Sequence, residues 1–251
     1  QPPVLASIIW QLVQQGTEYD ARKARELFPK LMAYHRWFCA ARDPQQTGVI
    51  GIIHPWESGR DNCPDWDIGM NNIVVPENLE SYTRRDTTHI DSEQRPTQEQ
   101  YDRFITIVKF GRECGWDQQQ IHANGPFLMA DPGVQFIFLR ASRDLLAMAR
   151  HLGMDMAIDE IEAWVARVER GSDWLWNDAV DGYCARDIRT GTFSDAITNA
   201  SALCFYAGVG TPEQNQLMEA HCRRILDASS YGMPSWDPEH PAFESQRYWR
   251  G

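Results

Sequence analysis

The sequence contains no apolar run near the roughly 18 residues that a membrane-spanning helix needs. It shows no basic stretch followed by an apolar segment at its start, so no signal peptide is expected. It has no Cys-x-x-Cys pair. The six cysteines (Cys39, Cys63, Cys114, Cys184, Cys204, Cys222) are scattered, which reads as reduced thiols in a cytoplasmic protein rather than a disulfide framework or zinc site. Basic residues are few: 24 Lys and Arg against 35 Asp and Glu, a formal net charge of -11. Such a surface repels phosphate backbones, so nucleic acid is an unexpected partner. Sustained strand alternation and a close repeat of 20–50 residues are both missing, which argues against a sheet protein and a simple solenoid.

What is present is helical periodicity. Val4, Leu5, Ile8, Ile9, Leu12 and Val13 share one face, with prolines before them and Gly16 after. A second helix is expected from about Asp20 to Ala41, kinked or restarted at Pro29. Thr97 with Gln100 forms a capping box before Tyr101, Phe104, Ile105 and Val108. Further helices are expected after Asp131-Pro132, across Ile158–Val168, at Asp195–Ala207 and at Thr211–Asp227. A turn at Thr190-Gly191 suggests a small hairpin within Tyr183–Phe193. Residues 43–95 and 231–251 show no period. A stretch as long as the first is either functional or hides helices. The 251 residues therefore read as one all-α domain, in which helical hairpins closed into a ring would gather their loops at one mouth. Gln1 runs directly into Pro2-Pro3 and a helix, and the chain stops at Arg250-Gly251 after an aromatic-basic cluster. Both ends read as cuts.

Chemistry concentrates in His54-Pro55-Trp56-Glu57-Ser58-Gly59-Arg60-Asp61-Asn62-Cys63-Pro64-Asp65-Trp66-Asp67. Four carboxylates and two of the chain's ten tryptophans fall within fourteen residues, and Gly59 and Pro64 force turns. Clustered carboxylates raise one another's pKa, and indole walls desolvate them. A carboxylic acid still protonated near neutral pH is what a leaving-group oxygen requires. Tryptophan next to such an acid also suits sugar C–H surfaces. Two other readings stay open at this point: a loop of helix caps and solvated acids, and a hard-cation site on Asp61, Asp65 and Asp67. His35 and His151 read as ordinary helical histidines. Arg84-Arg85 reads either as solvated surface or as a reception point for an anionic substrate.

Glu57 to Asp67 resembles the Glu-Ser-Gly-x-Asp-x-Ser-x-x-Trp-Asp segment of α/α-barrel glycosidases, above all glycoside hydrolase family 63 and its mannosylglycerate or glucosylglycerate hydrolase branch. Other stretches resemble the family in its order: Gln1-Pro2-Pro3-Val4, Phe28-Pro29-Lys30-Leu31 with Tyr34-His35-Arg36-Trp37, His89-Ile90-Asp91 with Arg95-Pro96-Thr97, Asp131-Pro132 leading to Leu139-Arg140-Ala141, and Tyr231-Gly232-Met233-Pro234-Ser235 ending in Arg247-Tyr248-Trp249-Arg250-Gly251. The resemblance implies an (α/α)6 barrel, a toroid of six hairpins, incomplete at both ends and covering residues 1–251 as one partial catalytic domain. It implies Asp61 as general acid. It places Gln1, Trp56, Tyr248 and Trp249 on the sugar pocket, with Glu57, Gly59 and Asn62 of the same segment and Tyr101 as further contacts. Cys63 departs from the usual Ser, with little effect expected on the acid. The family's base carboxylate lies downstream of the Tyr-Trp-Arg-Gly segment, so residues 1–251 alone are expected to be inactive, with Glu239 and Glu244 as weak substitutes. The implied activity is inverting hydrolysis of a small α-glycoside such as glucosylglycerate or mannosylglycerate, without cofactor or metal. The implied partners are the small carbohydrate and, as an option, further copies of the chain. The rival readings are a non-catalytic α-toroid that binds glycans or a protein, and a terpene-cyclase-like toroid, which would want Asp-rich metal motifs on a helix.

Overall fold

Helix α1 (Leu5–Gln15) and helix α2 (Glu18–Arg42) begin the chain. Thr17 and Asp20 form a capping box at the start of α2, the Asp20 carboxylate accepting the Thr17 N–H at 2.6 Å. The expected restart at Pro29 does not occur: α2 runs through it as one helix. Proline removes a single ladder bond, and buried Phe28, Leu31 and Met32 on either side keep the helix seated on the core. The computed structural model describes residues 2–251.

The stretch 43–95 contains no long helix. Short 3-10 turns at Pro55–Glu57, Pro64–Trp66 and Ser92–Gln94 and the single-turn α3 (Asp67–Met70) punctuate it. Side chains satisfy its backbone instead. The Asp43 carboxylate accepts the N–H groups of Thr47 and Gly48, and buried Gln135 accepts from Ile50 N–H while donating to Gly48 C=O. Helix α4 (Gln98–Glu113) starts at the expected Thr97–Gln100 capping box. Helix α5 (Gln118–Asn124) was not expected, because only Ile121 of its seven residues is buried and no stripe marks it.

Helix α6 (Pro132–Leu152) is the spine. It packs against α1, α2, α7 (Ile158–Ser172) and α8 (Leu203–Ala207). Asp131 caps it by accepting the N–H groups of Gly133 and Val134, and Gly153, at φ 70°, ends it in the left-handed region where glycine has no Cβ penalty. One core lies between α1, α2, α6 and α7. A second surrounds Ile50, Ile52, Trp66, Met129, Phe136, Phe138 and Tyr183.

Strands are two residues each. β1 (Gly51–Ile52), β2 (Met129–Ala130) and β5 (Arg186–Asp187) form an antiparallel sheet in the order β1-β2-β5, and β3 (Trp176–Asn177) pairs with β4 (Gly182–Tyr183). The expected hairpin is present at its tip, where Arg186 bridges Phe193 and Gly191 turns at φ 73°. The expected helix Asp195–Ala207 is confined to Leu203–Ala207. Ser194 and Ser201 hydroxyls accept the N–H groups of Ala196 and Thr198, and backbone bonds from Asp237 to Ile197 and from Asn199 to Ser235 tie the segment to the chain's last stretch. Helix α9 (Pro212–Asp227) starts at Thr211 as expected. No helix among the described residues is long and apolar enough to cross a membrane, and all six cysteines are free.

Candidate active site

The acidic loop is assembled by local bonds. Buried His54 accepts the Trp56 N–H on Nδ1 at 3.0 Å and donates from Nε2 to Phe104 C=O at 3.2 Å, which defines a neutral tautomer; burial pushes its pKa down to about 4. The Trp56 ring lies 4.3 Å from the His54 ring and 6.3 Å from that of Tyr101. The Ser58 hydroxyl accepts from Arg60 N–H, and Gly59 turns at φ 77°.

Three of the loop's four acids are each closed on an arginine. Glu57 takes Arg42 at 2.5 and 3.2 Å and also accepts Ile53 N–H. Asp65 takes Arg60 at 2.7 Å, and Asp67 takes Arg250 at 2.5 and 2.9 Å. Arg60 is buried. It also holds Asp131 at 2.7 Å, so the acidic loop is pinned to the N-terminus of α6. The Cys63 thiol donates to the same Asp65 oxygen at 2.9 Å, a bond that a serine hydroxyl would also make.

Asp61 is different. It forms no salt bridge among the described residues. Its Oδ2 accepts the Tyr248 hydroxyl at 3.1 Å. Burial raises its pKa, while the Tyr248 bond and the nearby Arg95 charge pull the other way. The expected direction therefore holds, and so does desolvation as its cause; the expected repulsion from neighbouring carboxylates does not. Glu57 and Asp65 are each paired with an arginine of their own, and the opposing cation at Asp61 is Arg95. Asp61, Asp65 and Asp67 are directed to different partners, and no group of three metal-ligating side chains occurs among the described residues.

The surrounding wall is aromatic and cationic. Arg95 lies 3.9 Å above the Tyr248 ring and Arg84 lies 4.6 Å above the Tyr101 ring. Tyr82 stacks on Tyr101 at 5.6 Å. Asn62 donates to Tyr248 C=O at 3.3 Å, and Tyr248 N–H reaches Gln94 C=O at 2.8 Å. The Trp249 ring lies 6.0 Å from that of Tyr248. Its backbone is left-handed at φ 59°, and its buried Nε1 has no partner among the described residues.

Of the expected site residues, Asp61 and Asn62 bond to Tyr248, which packs on Trp249, while Trp56 packs on Tyr101; Arg84, Asp86 and Arg95 link the two tyrosines. Glu57 belongs to Arg42, Gly59 supplies a turn, and Gln1 lies outside the described residues. The sequence reading missed His54, Arg95 and Asp86. Their stretch has no period: His54 and Arg95 lie within the motifs quoted above but were given no role, and beside Asp86 only the Arg84-Arg85 pair drew attention. Hollows of about 460 and 410 Å³ near Asp43 and Pro44 contain none of these residues.

A family model described as the mannosylglycerate hydrolase MGH1-like glycoside hydrolase domain matches residues 1–251. The chain belongs to this family. It is 41% identical over 255 residues to a mannosylglycerate hydrolase of Thermus thermophilus, covering 100% of this chain and 60% of that protein. It is 38% identical over 253 residues to the mannosylglycerate hydrolase MGH1 of Selaginella moellendorffii, covering 100% of this chain and 52% of the relative. The crystal structure of a GH63 mannosylglycerate hydrolase from Thermus thermophilus in complex with Tris superposes with a TM-score of 0.95 at 40% identity, covering 100% of this chain and 60% of that one. Its complex with Tris and D-glycerate gives 0.94 at the same identity and coverage. The chain has the helical-barrel fold of these enzymes and spans about 60% of the Thermus protein's length.

Proposed function

We propose that the protein carrying this chain is an inverting glycosidase acting on a small α-glycoside with an anionic aglycone, such as mannosylglycerate or glucosylglycerate. Asp61 protonates the glycosidic oxygen as general acid, and a second carboxylate activates water on the opposite face of the sugar. The observation that carries this reading is that Asp61 alone among the four acids of its loop escapes an arginine, while burial favours its protonated form. Trp56, an exposed aromatic of the loop, offers the flat surface that a sugar stacks on. Arg84 and Arg95, each laid on a tyrosine, suit a carboxylate-bearing aglycone. The relatives, named as mannosylglycerate hydrolases, support the same substrate class, and a non-catalytic toroid is the less favoured reading. Inversion needs carboxyl groups roughly 6.5–9.5 Å apart. Glu239 and Glu244 are poor candidates for the second, since they pair with Arg224 and Arg247. The test is Asp61→Asn in the intact protein, assayed on mannosylglycerate and glucosylglycerate. A loss of about 10²–10⁴ in rate is expected for a missing general acid; full retained activity would remove Asp61 from the mechanism.

A further inference from the structure

The segment between α3 and α4 passes beside Asp61 with only the short turn Ser92–Gln94 as regular structure, yet one of its side chains is held by three bonds. Asp86 accepts from Arg84 Nε at 3.1 Å and Nη2 at 2.8 Å, and from Arg95 Nε at 3.3 Å. Its side chain is only 12% exposed. The two guanidiniums that it joins lie on Tyr101 and on Tyr248, whose hydroxyl bonds to Asp61. A further bond from Arg84 to Pro96 C=O closes the segment on itself.

We propose that Asp86 is a positioning residue that sets the aglycone specificity of the site. The inference rests on the glycosidase reading above. A guanidinium at the end of a flexible stem loses rotamer freedom whenever it binds an anion, and a carboxylate already holding its Nε edge lowers that loss. Arg95 is in this position. Nε is taken by Asp86, the face is on Tyr248, and both terminal nitrogens have no hydrogen bond among the described residues. Those two nitrogens are the fork that a carboxylate binds. Charge points the same way. Two arginines and one aspartate leave a single net positive charge, matched to an aglycone with one carboxylate. Asp86 touches neither Asp61 nor the sugar-facing Trp56, so its loss should be felt at the aglycone and not in proton transfer.

The intact protein would be compared with Asp86→Asn and Asp86→Glu on mannosylglycerate and on mannosylglycerol, its neutral counterpart, with D-glycerate binding measured by calorimetry. Asp86→Asn is expected to raise KM for mannosylglycerate and Kd for D-glycerate about tenfold or more, with kcat within about threefold and the neutral glycoside little changed. Asp86→Glu, which keeps the charge, is expected to recover part of the loss. Equal losses on both glycosides would make Asp86 a merely structural clasp and overturn the proposal. An unchanged or lower KM for mannosylglycerate would overturn it too, because relief of charge would then outweigh positioning. A wild-type protein inert on both glycosides would instead sink the glycosidase reading, and this inference with it.

Discussion

The phenol of Tyr248 and the carboxylate of Asp61 are 187 positions apart in the chain and 3.1 Å apart in space. A hydroxyl that donates to a carboxylate favours the charged form, so Tyr248 works against the burial that keeps Asp61 protonated. Removing it should make Asp61 a weaker acid. A general acid is active while protonated, so the alkaline limb of kcat/KM is expected to move to higher pH in Tyr248→Phe. Arg95→Gln should move it the same way, since Arg95 also stabilises the charged form. The pH profiles of the intact protein and the two variants check this. A limb moving to lower pH would contradict the assignment.

Arg60 is a stability residue as well as an anchor. It is buried between Asp65 and Asp131. Arg60→Met leaves two buried carboxylates without their cation and is expected to cost about 3–5 kcal/mol. Adding Asp131→Asn should recover part of this, because one stranded charge is then gone. Denaturant unfolding of the single and double variants measures it, and additive losses would refute the coupling.

Two buried histidines make the fold acid-sensitive. His35 lies between the rings of Phe138 and Trp164, near the Ser142 hydroxyl, and burial pushes its pKa to about 4; His54 is held at about 4 by its own burial. Their pKa values are depressed, so between about pH 6.5 and 4 the unfolded chain binds the extra protons. Stability then falls as pH falls through that window, by roughly 3 kcal/mol for each histidine. His35→Phe should flatten its share of the fall, seen as a smaller difference in unfolding free energy between about pH 7.5 and 4.5. An unaltered slope would show that His35 is not the sensor.

Residues 1–251 produced alone are expected not to turn over glycosides, because Glu239 and Glu244 are held by arginines and the family resemblance puts the base downstream of the Tyr-Trp-Arg-Gly segment. Assay beside the intact protein on mannosylglycerate decides it. A rate matching the intact protein would place the base within these residues, with Glu244 the first suspect.

The helices were legible wherever a cap met a stripe. Thr97–Gln100 and Thr211–Pro212 announce α4 and α9, and Asp131-Pro132 announces α6. The errors have physical causes. At residues 195–202 serine hydroxyls and a distant segment of the chain take the backbone bonds that a helix would use. At α5 there was nothing periodic to see. Asp61 stood out through its neighbours, yet those neighbours are bound elsewhere. Which arginine answers which acid depends on contacts such as Arg42 with Glu57 and Arg250 with Asp67, and spacing along the chain does not encode such choices.

The left-handed backbone at Trp249 has an evolutionary consequence. A bulky side chain at φ 59° costs on the order of 1–3 kcal/mol that glycine would not incur. The conformation persists between Tyr248, tied to Gln94, and Arg250, tied to Asp67. Relief of that strain and retention of the indole beside Tyr248 are therefore opposed goals. A population selected only for heat resistance should drift toward Trp249→Gly or Trp249→Asn, while one selected for turnover should keep the tryptophan and find its thermal gains elsewhere.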